Sequence, residues 1–269
     1  RVSDHCVENC GYQGVNLCSY IKNITISQQY NIISQEHVSS NTTWGADNYY
    51  ILDDVYVEPN ATLTVTGTVY CSNQAAIIVK PGAKLVINGG HLLCLCDDEQ
   101  WNGIQVWGDS DKHQFKENGH YWQGVVELKN NAIIENAIIA IDVWNKDADD
   151  PYSTTGGIVL ANDSKFINNA RAVNFEPYEN QYYHPSNPEE LVVSDNASYF
   201  KNCIFEVDSD YVGPEEFFTH ANLYEVRGVS FIACDFILDD NPYNNMYPVG
   251  IYAYNAGFSV NGSYNNIIN

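Results

Sequence analysis

One line of this sequence occurs twice, at an offset of 22 residues. Residues 55–67 read VYVEPNATLTVTG and residues 77–89 read IIVKPGAKLVING. A fixed period in this range is typical of stacked-coil proteins. Apolar residues that alternate and are interrupted by a proline turn indicate strands rather than helices. The repeat therefore predicts an all-β fold, a right-handed parallel β-helix with coils of about 22 residues.

A longer spacing replaces this period after Gly124. The segments 124–141, 157–173, 194–207 and 225–238 align on Ile134, Phe166, Phe200 and Phe231. Each step is one coil plus a loop of about ten residues. The alignment predicts that equivalent side chains stack between neighbouring coils, including an asparagine ladder at Asn136, Asn168 and Asn202 and a contact between Cys203 and Cys234. The alternatives are that these asparagines only mark turns and that the cysteines form either a disulfide or two buried thiols.

Four insertions interrupt the later coils. They begin at Asn145, Glu176, Asp208 and Asp239, and the alignment places all of them after the same strand of a coil. Loops from equivalent corners cluster along one edge, which makes that edge the expected functional surface. An earlier insertion, residues 108–123, is not assigned to a corner.

The insertions are rich in carboxylates and aromatic side chains. Carboxylates beside tyrosines suit glycan binding, and an acidic fringe that only contacts solvent is the alternative. The candidate ligand-binding residues are Tyr152, Glu176, Tyr178, Tyr182, Tyr183, His184, Asp208, Asp210, Tyr211 and His220. Oxygen ligands for a calcium ion are available at Asp147, Asp149 and Asp150, although no calcium-loop motif occurs.

The charge excludes several classes of partner. Twelve basic residues against 34 acidic ones give a net charge of −22, which disfavours nucleic acid and anionic membranes. No stretch has the roughly 20 apolar residues of a membrane span. The eight cysteines suit an exported protein, so we expect secreted or cell-surface localisation.

Residues 1–48 differ from the repeat. They are rich in cysteine and polar residues, and we interpret them as an irregular N-terminal cap or the end of a preceding module. Residues 49–269 form the predicted β-helix, and strand alternation persists to the end of the chain, so we expect further coils in a longer parent protein.

No established catalytic motif occurs in the chain. The candidate bases for lyase chemistry are Lys146, Lys165, Arg171, Lys201 and Arg227. None lies in a catalytic motif, which favours surface packing of their long stems.

The repeat segments, with WNGIQVWGD, QGVVELKNNAIIENAIIAI and VRGVSFIACDF, resemble the parallel β-helix regions of large Bacteroidetes surface proteins exported by the type IX secretion system. The resemblance covers residues 50–260 and implies a structural module with no agreed active site. It also implies secretion or surface-anchoring machinery as a partner of the parent protein.

We expect a non-catalytic extracellular adhesin or scaffold that binds glycans or a cell-surface partner through the acidic, tyrosine-rich loop edge and requires no cofactor. A polysaccharide lyase or glycoside hydrolase is one alternative. An architectural stalk or secretion-system substrate without a ligand of its own is another.

Overall fold

The structure is a computed structural model that describes residues 31–184, 186–213, 217–238 and 248–262. Within these residues, short strands form three parallel sheets of eight strands each, and one two-stranded antiparallel sheet. The chain passes through sheets A, B and C in turn and repeats that order in eight coils. The predicted right-handed parallel β-helix is confirmed.

Each sheet takes one strand from every coil. Sheet A contains Asn31–Ile33, Tyr49–Ile51, Thr68–Cys71, His91–Cys94, Ile133–Glu135, Lys165–Ile167, Ile204–Val207 and Asp235–Leu238. Sheet B contains Glu36–Val38, Val55–Val57, Ala76–Val79, Gly103–Val106, Ile139–Asp142, Arg171–Phe175, Thr219–Tyr224 and Val249–Tyr254. Sheet C contains Thr42–Trp44, Thr62–Val65, Lys84–Asn88, Val125–Lys129, Ile158–Asn162, Tyr199–Lys201, Arg227–Ile232 and Gly257–Asn261.

Two further elements lie outside these sheets. Asn180–His184 and Asn187–Ser194 form an antiparallel hairpin, and Pro151–Thr154 forms a 3-10 helix. Both belong to insertions between a strand of sheet B and the next strand of sheet C. The solenoid begins at Asn31 among the described residues, so residues 31–48 form the first coil rather than part of the predicted cap.

The repeat sets the register of the early coils. Leu63 lies opposite Leu85, and Leu85 lies opposite Val126. All three side chains are fully buried, because alternate residues of every strand point into the interior of the rod. The 22-residue period is therefore the spacing between stacked core positions.

Aromatic rings replace aliphatic side chains in the core of the later coils. Phe205 stacks between Phe166 and Phe236, with ring centroids 4.9 and 4.7 Å apart. Phe200 stacks on Phe231 at 5.0 Å. Parallel coils place equivalent side chains about 4.8 Å apart, so rings at one register position stack face to face.

These stacks correct the alignment of the later coils. Phe166 lies in sheet A opposite Phe205, whereas Phe200 lies in sheet C opposite Ala161. The alignment is right for Ile134 with Phe166 and for Phe200 with Phe231. Its middle step pairs residues on different faces, because all three faces have the same alternation. The predicted ladder therefore fails at Asn202, whereas Asn136 and Asn168 follow the paired residues Glu135 and Ile167.

The three asparagines of that ladder occupy two corners of the coil. Asn136 and Asn168 follow strands of sheet A, and Asn202 follows a strand of sheet C. All three have positive φ, near +52°. Each donates its backbone N–H to a carbonyl of the next coil, at 3.1, 2.9 and 2.8 Å. Their shared feature is a left-handed turn, a conformation that asparagine tolerates.

Two pairs of cysteine residues occupy neighbouring coils at sheet A. Cys71 lies opposite Cys94 in sheet A, and Cys203 and Cys234 immediately precede the paired residues Ile204 and Asp235 of that sheet. Cys71, Cys203 and Cys234 carry free, buried thiols. Cys6, Cys10 and Cys18 lie outside the described residues.

The insertions leave two corners rather than one, so the predicted single edge is wrong. Residues 143–157 and 176–198 connect sheet B to sheet C, as do residues 107–124, whose corner the sequence did not reveal. Residues 208–218 connect sheet A to sheet B, and so do residues 239–248, most of which lie outside the described part of the chain.

Candidate functional site

Sheet B lies between the two sets of insertions. Its strands run from the corner that carries residues 95–102 and 208–218 to the corner that carries residues 107–124, 143–157 and 176–198. Its outer face is therefore bounded by loops along both sides. In a solenoid this is where ligand-contacting residues collect.

Polar side chains form a continuous network on this face in the later coils. Asp142, Asn174 and Asn222 occupy one register position of three neighbouring strands. The Nδ2 atom of Asn174 donates to Oδ1 of Asp142 at 2.8 Å and to Oε1 of Glu176 at 3.1 Å. Asn222 donates in turn to Oδ1 of Asn174 at 2.7 Å. We call Asp142, Asn174, Glu176 and Asn222 the acid strip.

Both carboxyl groups of the acid strip hold a proton more tightly than usual. Burial raises the pKa of Asp142 to about 6, against the opposing hydrogen bond from Asn174. Burial also raises the pKa of the half-buried Glu176. The nearby Arg171 opposes both shifts without cancelling them. A carboxyl group with a pKa near 6 exchanges its proton near neutral pH, as a general acid must.

Tyrosine rings continue this face toward the end of the rod. Tyr224 stacks on Tyr254, with ring centroids 5.2 Å apart, and Tyr152 is 54% exposed. The pKa of Tyr224 is raised mainly by Glu225, with smaller contributions that include Tyr152 and Glu176. These phenols therefore lie within electrostatic range of the acid strip and offer ring faces to a ligand.

A concave site lies between residues 107–124 and the hairpin. It is a cleft of about 480 Å³, which falls within the range of small-molecule sites. Four aromatic side chains contribute to its lining, together with charged groups of both signs. The lining residues are Asp111, Lys112, His113, Phe115, Glu117, Trp122, Gln181, Tyr182, Tyr183 and Leu191. We call this site the loop cleft.

Glu117 organises one wall of the loop cleft. It accepts hydrogen bonds from Nε1 of Trp122 at 3.1 Å and from Nε2 of His113 at 2.9 Å. The hydrogen bond from His113 is the main reason that the pKa of Glu117 is lowered. Lys112 lies over the Trp122 ring, 5.2 Å from its centroid. Phe115 stacks on His113 at 3.3 Å.

A buried glutamine fastens the two walls together. The backbone N–H of Gln114 donates to the Asn180 side chain at 2.9 Å, and its Nε2 donates to the Gly156 carbonyl at 2.9 Å. Its Oε1 accepts from the backbone of Ala197 at 2.8 Å. One side chain therefore joins all three insertions of this corner, so the loop cleft is preorganised rather than formed by independent loops.

Two of the predicted ligand residues line the loop cleft. Tyr182 packs edge-on against Phe115 at 4.8 Å, and Tyr183 is 65% exposed. Glu176 belongs to the acid strip instead, and Tyr152 lies 5.8 Å from Trp144. Their predicted role in ligand binding stays a prediction.

Three other predicted ligand residues are buried in the protein. The Tyr178 hydroxyl donates to the Lys112 carbonyl at 2.7 Å, and its ring would lie 2.6 Å from a Cβ on Gly156, which has φ +97°. Tyr211 packs against Phe217. His220 faces the Ile237 carbonyl at 3.1 Å, and burial lowers its pKa to about 3. These positions brace the loops rather than face a ligand.

The remaining predicted residues cap turns. Asp208 accepts hydrogen bonds from the Asn168 side chain at 2.8 Å and from the backbone of Asp210 at 2.9 Å. His184 accepts from the backbone of Ser186 at 3.2 Å. Such local hydrogen bonds are typical of loop ends.

The described part of the chain contains no group of three or more histidine, cysteine or acidic side chains positioned to hold a metal ion. Of the residues predicted to bind calcium, Asp147 forms an exposed ion pair with Lys146 at 2.8 Å. Across the same described residues, no helix is long and apolar enough to span a membrane.

Asp142, Asn174 and Trp122 were not among the predicted site residues. A signal for the first two is present in the sequence: the runs IAID, RAVN and THAN each end with an Asp or Asn directly after an apolar residue. These runs occupy the same strand position of consecutive coils. Trp122 belongs to the insertion whose corner was not assigned.

Comparison with known proteins gave no family: no protein-family model matches this chain, and no curated protein matches its sequence. The fold is shown, and the function rests on the geometry of the acid strip and the loop cleft.

Proposed function

We propose that this chain is a secreted or cell-surface β-helix module that binds a glycan in the loop cleft. The observation that carries the proposal is the preorganised cleft of about 480 Å³ between residues 107–124 and the hairpin. The resemblance to surface proteins exported by the type IX secretion system supports the extracellular setting.

The exposed rings of the loop cleft suit a sugar. Trp122 is 47% exposed, Tyr183 is 65% exposed and Phe115 is 39% exposed. Clusters of exposed apolar rings often mark ligand-binding sites, and aromatic faces pack on the apolar faces of sugar rings. Asp111 and Lys112 border the rings and offer an acceptor and a donor to hydroxyl groups.

The charge of the molecule narrows the class of glycan. A net charge of −22 repels polyanions at long range. We infer that the ligand is a neutral or amino-sugar glycan rather than a uronate or a sulfated one.

A glycan array probed with the full chain tests the proposal. We expect binding to neutral or amino-sugar glycans, weakened at least tenfold in Trp122→Ala and Tyr183→Ala, which corresponds to about 1.4 kcal/mol per variant. Tyr70→Ala is the matched control, because it removes an aromatic ring that stacks on Tyr50 at 5.1 Å in sheet A, away from the cleft. An array without any bound glycan, or binding unchanged in both cleft variants, would contradict the proposal.

A further inference from the structure

We propose that the loop cleft selects a glycan with free amino groups, and that the ammonium group of one amino sugar takes the place of Lys112 over the Trp122 ring. The inference rests on the proposed function, because it concerns the ligand of the same cleft. It goes further by assigning one subsite of the cleft to one chemical group, a protonated amine on a sugar ring.

The Trp122 ring already holds a cation. The Nζ atom of Lys112 lies 5.2 Å from the centroid of the ring, which is the distance of a cation–π contact. Tryptophan gives the strongest such contact among the aromatic side chains. The ring is 47% exposed and lines the loop cleft. A ligand can therefore reach the ring on which this ammonium group lies.

Glu117 prepares the ring for a cation. Its carboxylate accepts a hydrogen bond from Nε1 of Trp122 at 3.1 Å, and a bond to an ionised acceptor is strong enough to hold the ring in one orientation. The hydrogen bond from His113 is the main cause of the lowered pKa of Glu117. The carboxylate therefore stays ionised and places a negative charge at the edge of the ring, which attracts a cation over its face.

Two other lysine–aromatic pairs of the described residues show what distinguishes this one. Lys80 lies 5.2 Å from the centroid of the Tyr56 ring, and Lys116 lies 5.1 Å from the centroid of the Tyr121 ring. The loop cleft is lined by neither pair. Of the three pairs, the one in the cleft is therefore the pair whose lysine can be exchanged for the cation of a bound ligand.

This exchange gives the cleft its selectivity. A neutral sugar that covers the Trp122 face displaces Lys112 and leaves the cation–π contact unreplaced, whereas an amino sugar replaces it with its own ammonium group. An exposed contact of this kind corresponds to a factor of about two to five in affinity.

The charge of the protein acts in the same direction. Asp111 and Glu117 are exposed carboxylates in the lining of the cleft, and the net charge of −22 attracts cationic polymers at long range. Both effects favour an ammonium group over an acetamido or a hydroxyl group at the same position of a sugar. We therefore expect a preference of about fivefold or more for the amino sugar.

Three oligosaccharides that differ only at carbon 2 test the inference. Oligomers of glucosamine, N-acetylglucosamine and glucose, with equal length and the same β-1,4 linkage, carry an ammonium, an acetamido and a hydroxyl group there. Titration calorimetry with the full chain at physiological ionic strength measures the three dissociation constants. We expect the glucosamine oligomer to bind about fivefold or more tightly than the other two, and Trp122→Ala to weaken its binding roughly tenfold.

Lys112→Ala and Lys116→Ala are the matched variants. Each removes one positive charge and one lysine–aromatic contact from the same insertion, but Lys112 lines the cleft and Lys116 does not. Lys112→Ala keeps the backbone carbonyl that accepts from the Tyr178 hydroxyl at 2.7 Å, so the wall of the cleft is preserved. We expect it to raise the affinity for the glucosamine oligomer about two- to fivefold more than Lys116→Ala does, because the lysine no longer competes for the ring.

The possible failures are distinct from one another, once a melting curve has confirmed that each variant is folded. Equal affinity for the three oligomers, lost in Trp122→Ala, would overturn the inference and leave glycan binding in the loop cleft intact. Glucosamine binding that survives Trp122→Ala would also overturn it, because attraction to the acidic surface would then explain the preference. Equal effects of Lys112→Ala and Lys116→Ala would refute the exchange at the ring. No binding of any oligomer, with no glycan bound on the array, would overturn the proposed function as well.

Discussion

The outer face of sheet B carries carboxylates in both the early and the late coils, in opposite states. Glu58, in the early coils, receives hydrogen bonds from Lys80 at 2.7 Å and from His37 at 2.7 Å, and the bond from Lys80 is the main reason that its pKa is lowered. Asp142 and Glu176, in the late coils, receive amide bonds instead, and burial raises the pKa of both. The outer face of sheet B therefore holds a compensated charge in the early coils and proton-retaining acids in the late coils.

The early and late coils also differ in the side chains that fill their interior. The early coils stack aliphatic side chains such as Leu63 on Leu85, whereas the late coils stack Phe166, Phe205 and Phe236. The late coils also carry the long insertions at both corners. The comparison indicates that the early coils are regular scaffold and that the late coils support a site.

Removing the central ring of the aromatic stack should have the largest effect. Phe205 is fully buried between two parallel rings, so Phe205→Ala leaves a cavity and deletes two ring contacts. We expect the free energy of unfolding to fall by about 3–5 kcal/mol, measured by denaturant titration. Leu85→Ala in the early coils should cost about 2–5 kcal/mol, and a smaller loss for Phe205→Ala than for Leu85→Ala would contradict the importance of the aromatic stack.

The buried histidine of the late coils should make the protein sensitive to acid. Burial lowers the pKa of His220 to about 3, so its unfolded form binds a proton below about pH 6.5 while its folded form does not. The stabilisation that neutral His220 contributes is complete above pH 6.5 and is lost as the pH falls toward 3. We expect about 3 kcal/mol of this loss between pH 6.5 and pH 4.

His220→Phe removes the titrating group and keeps a ring among Phe217 and Phe236. The variant should lose about 1 kcal/mol at neutral pH with the hydrogen bond to Ile237, and its stability should fall less steeply in acid. Thermal unfolding measured from pH 7 to pH 4 checks this, and equal slopes for the two proteins would contradict it.

Two carboxylate-to-amide changes should have opposite signs on the same sheet. Because the pKa of Asp142 is higher in the folded protein than in the unfolded chain, protonated Asp142 stabilises the fold. This stabilisation is complete below about pH 3.8 and is lost as the pH rises through about 6. Asp142→Asn cannot ionise, and we expect it to raise stability at pH 7.5 by about 1–3 kcal/mol. The free energies of unfolding of the parent protein and of Asp142→Asn, measured against pH, should therefore converge in acid.

Glu58→Gln should act in the other direction. The pKa of Glu58 is lower in the folded protein than in the unfolded chain. Ionised Glu58 therefore stabilises the fold at a pH above its pKa in the unfolded chain, and this stabilisation is lost in acid. The variant should lose about 0–1 kcal/mol at pH 7.5, because the pair lies near the surface. The same sign for Asp142→Asn and Glu58→Gln would refute the contrast between the two regions.

The sequence revealed the early coils better than the late ones for a physical reason. Between 55–67 and 77–89 no insertion changes the spacing, so the period appears directly as the register. Later insertions change the spacing, and alternation alone does not identify the face. Phe200 was therefore matched with Phe166 of another sheet.

The site was harder to predict than the fold. Tyr182 and Tyr183 stood out through composition, and both line the loop cleft. Asp142 did not, because its surroundings depend on Asn174, which lies 32 residues away, and on the corner at which the next insertion leaves. That Asp142 and Glu176 lie close together can be recognised only when the register between their coils is known.

Left-handed turns provide the mildest test of the comparison. The early turn after Pro81 has Gly82 at φ +76°, whereas the late turn before Cys234 has Ala233 at φ +50°. An alanine in this conformation costs about 1–2 kcal/mol, and the extra unfolded-state entropy of glycine costs about 0.5–1 kcal/mol.

Ala233→Gly should therefore raise the free energy of unfolding by about 0.5–1 kcal/mol. Gly82→Ala should lower it by a similar amount, because a Cβ there would meet only Pro59 at 3.9 Å and the strain lies in the backbone alone. Denaturant titration of both variants against the parent protein measures the two changes. Destabilisation by Ala233→Gly would mean that the partly buried alanine methyl group contributes more than the strain of its turn.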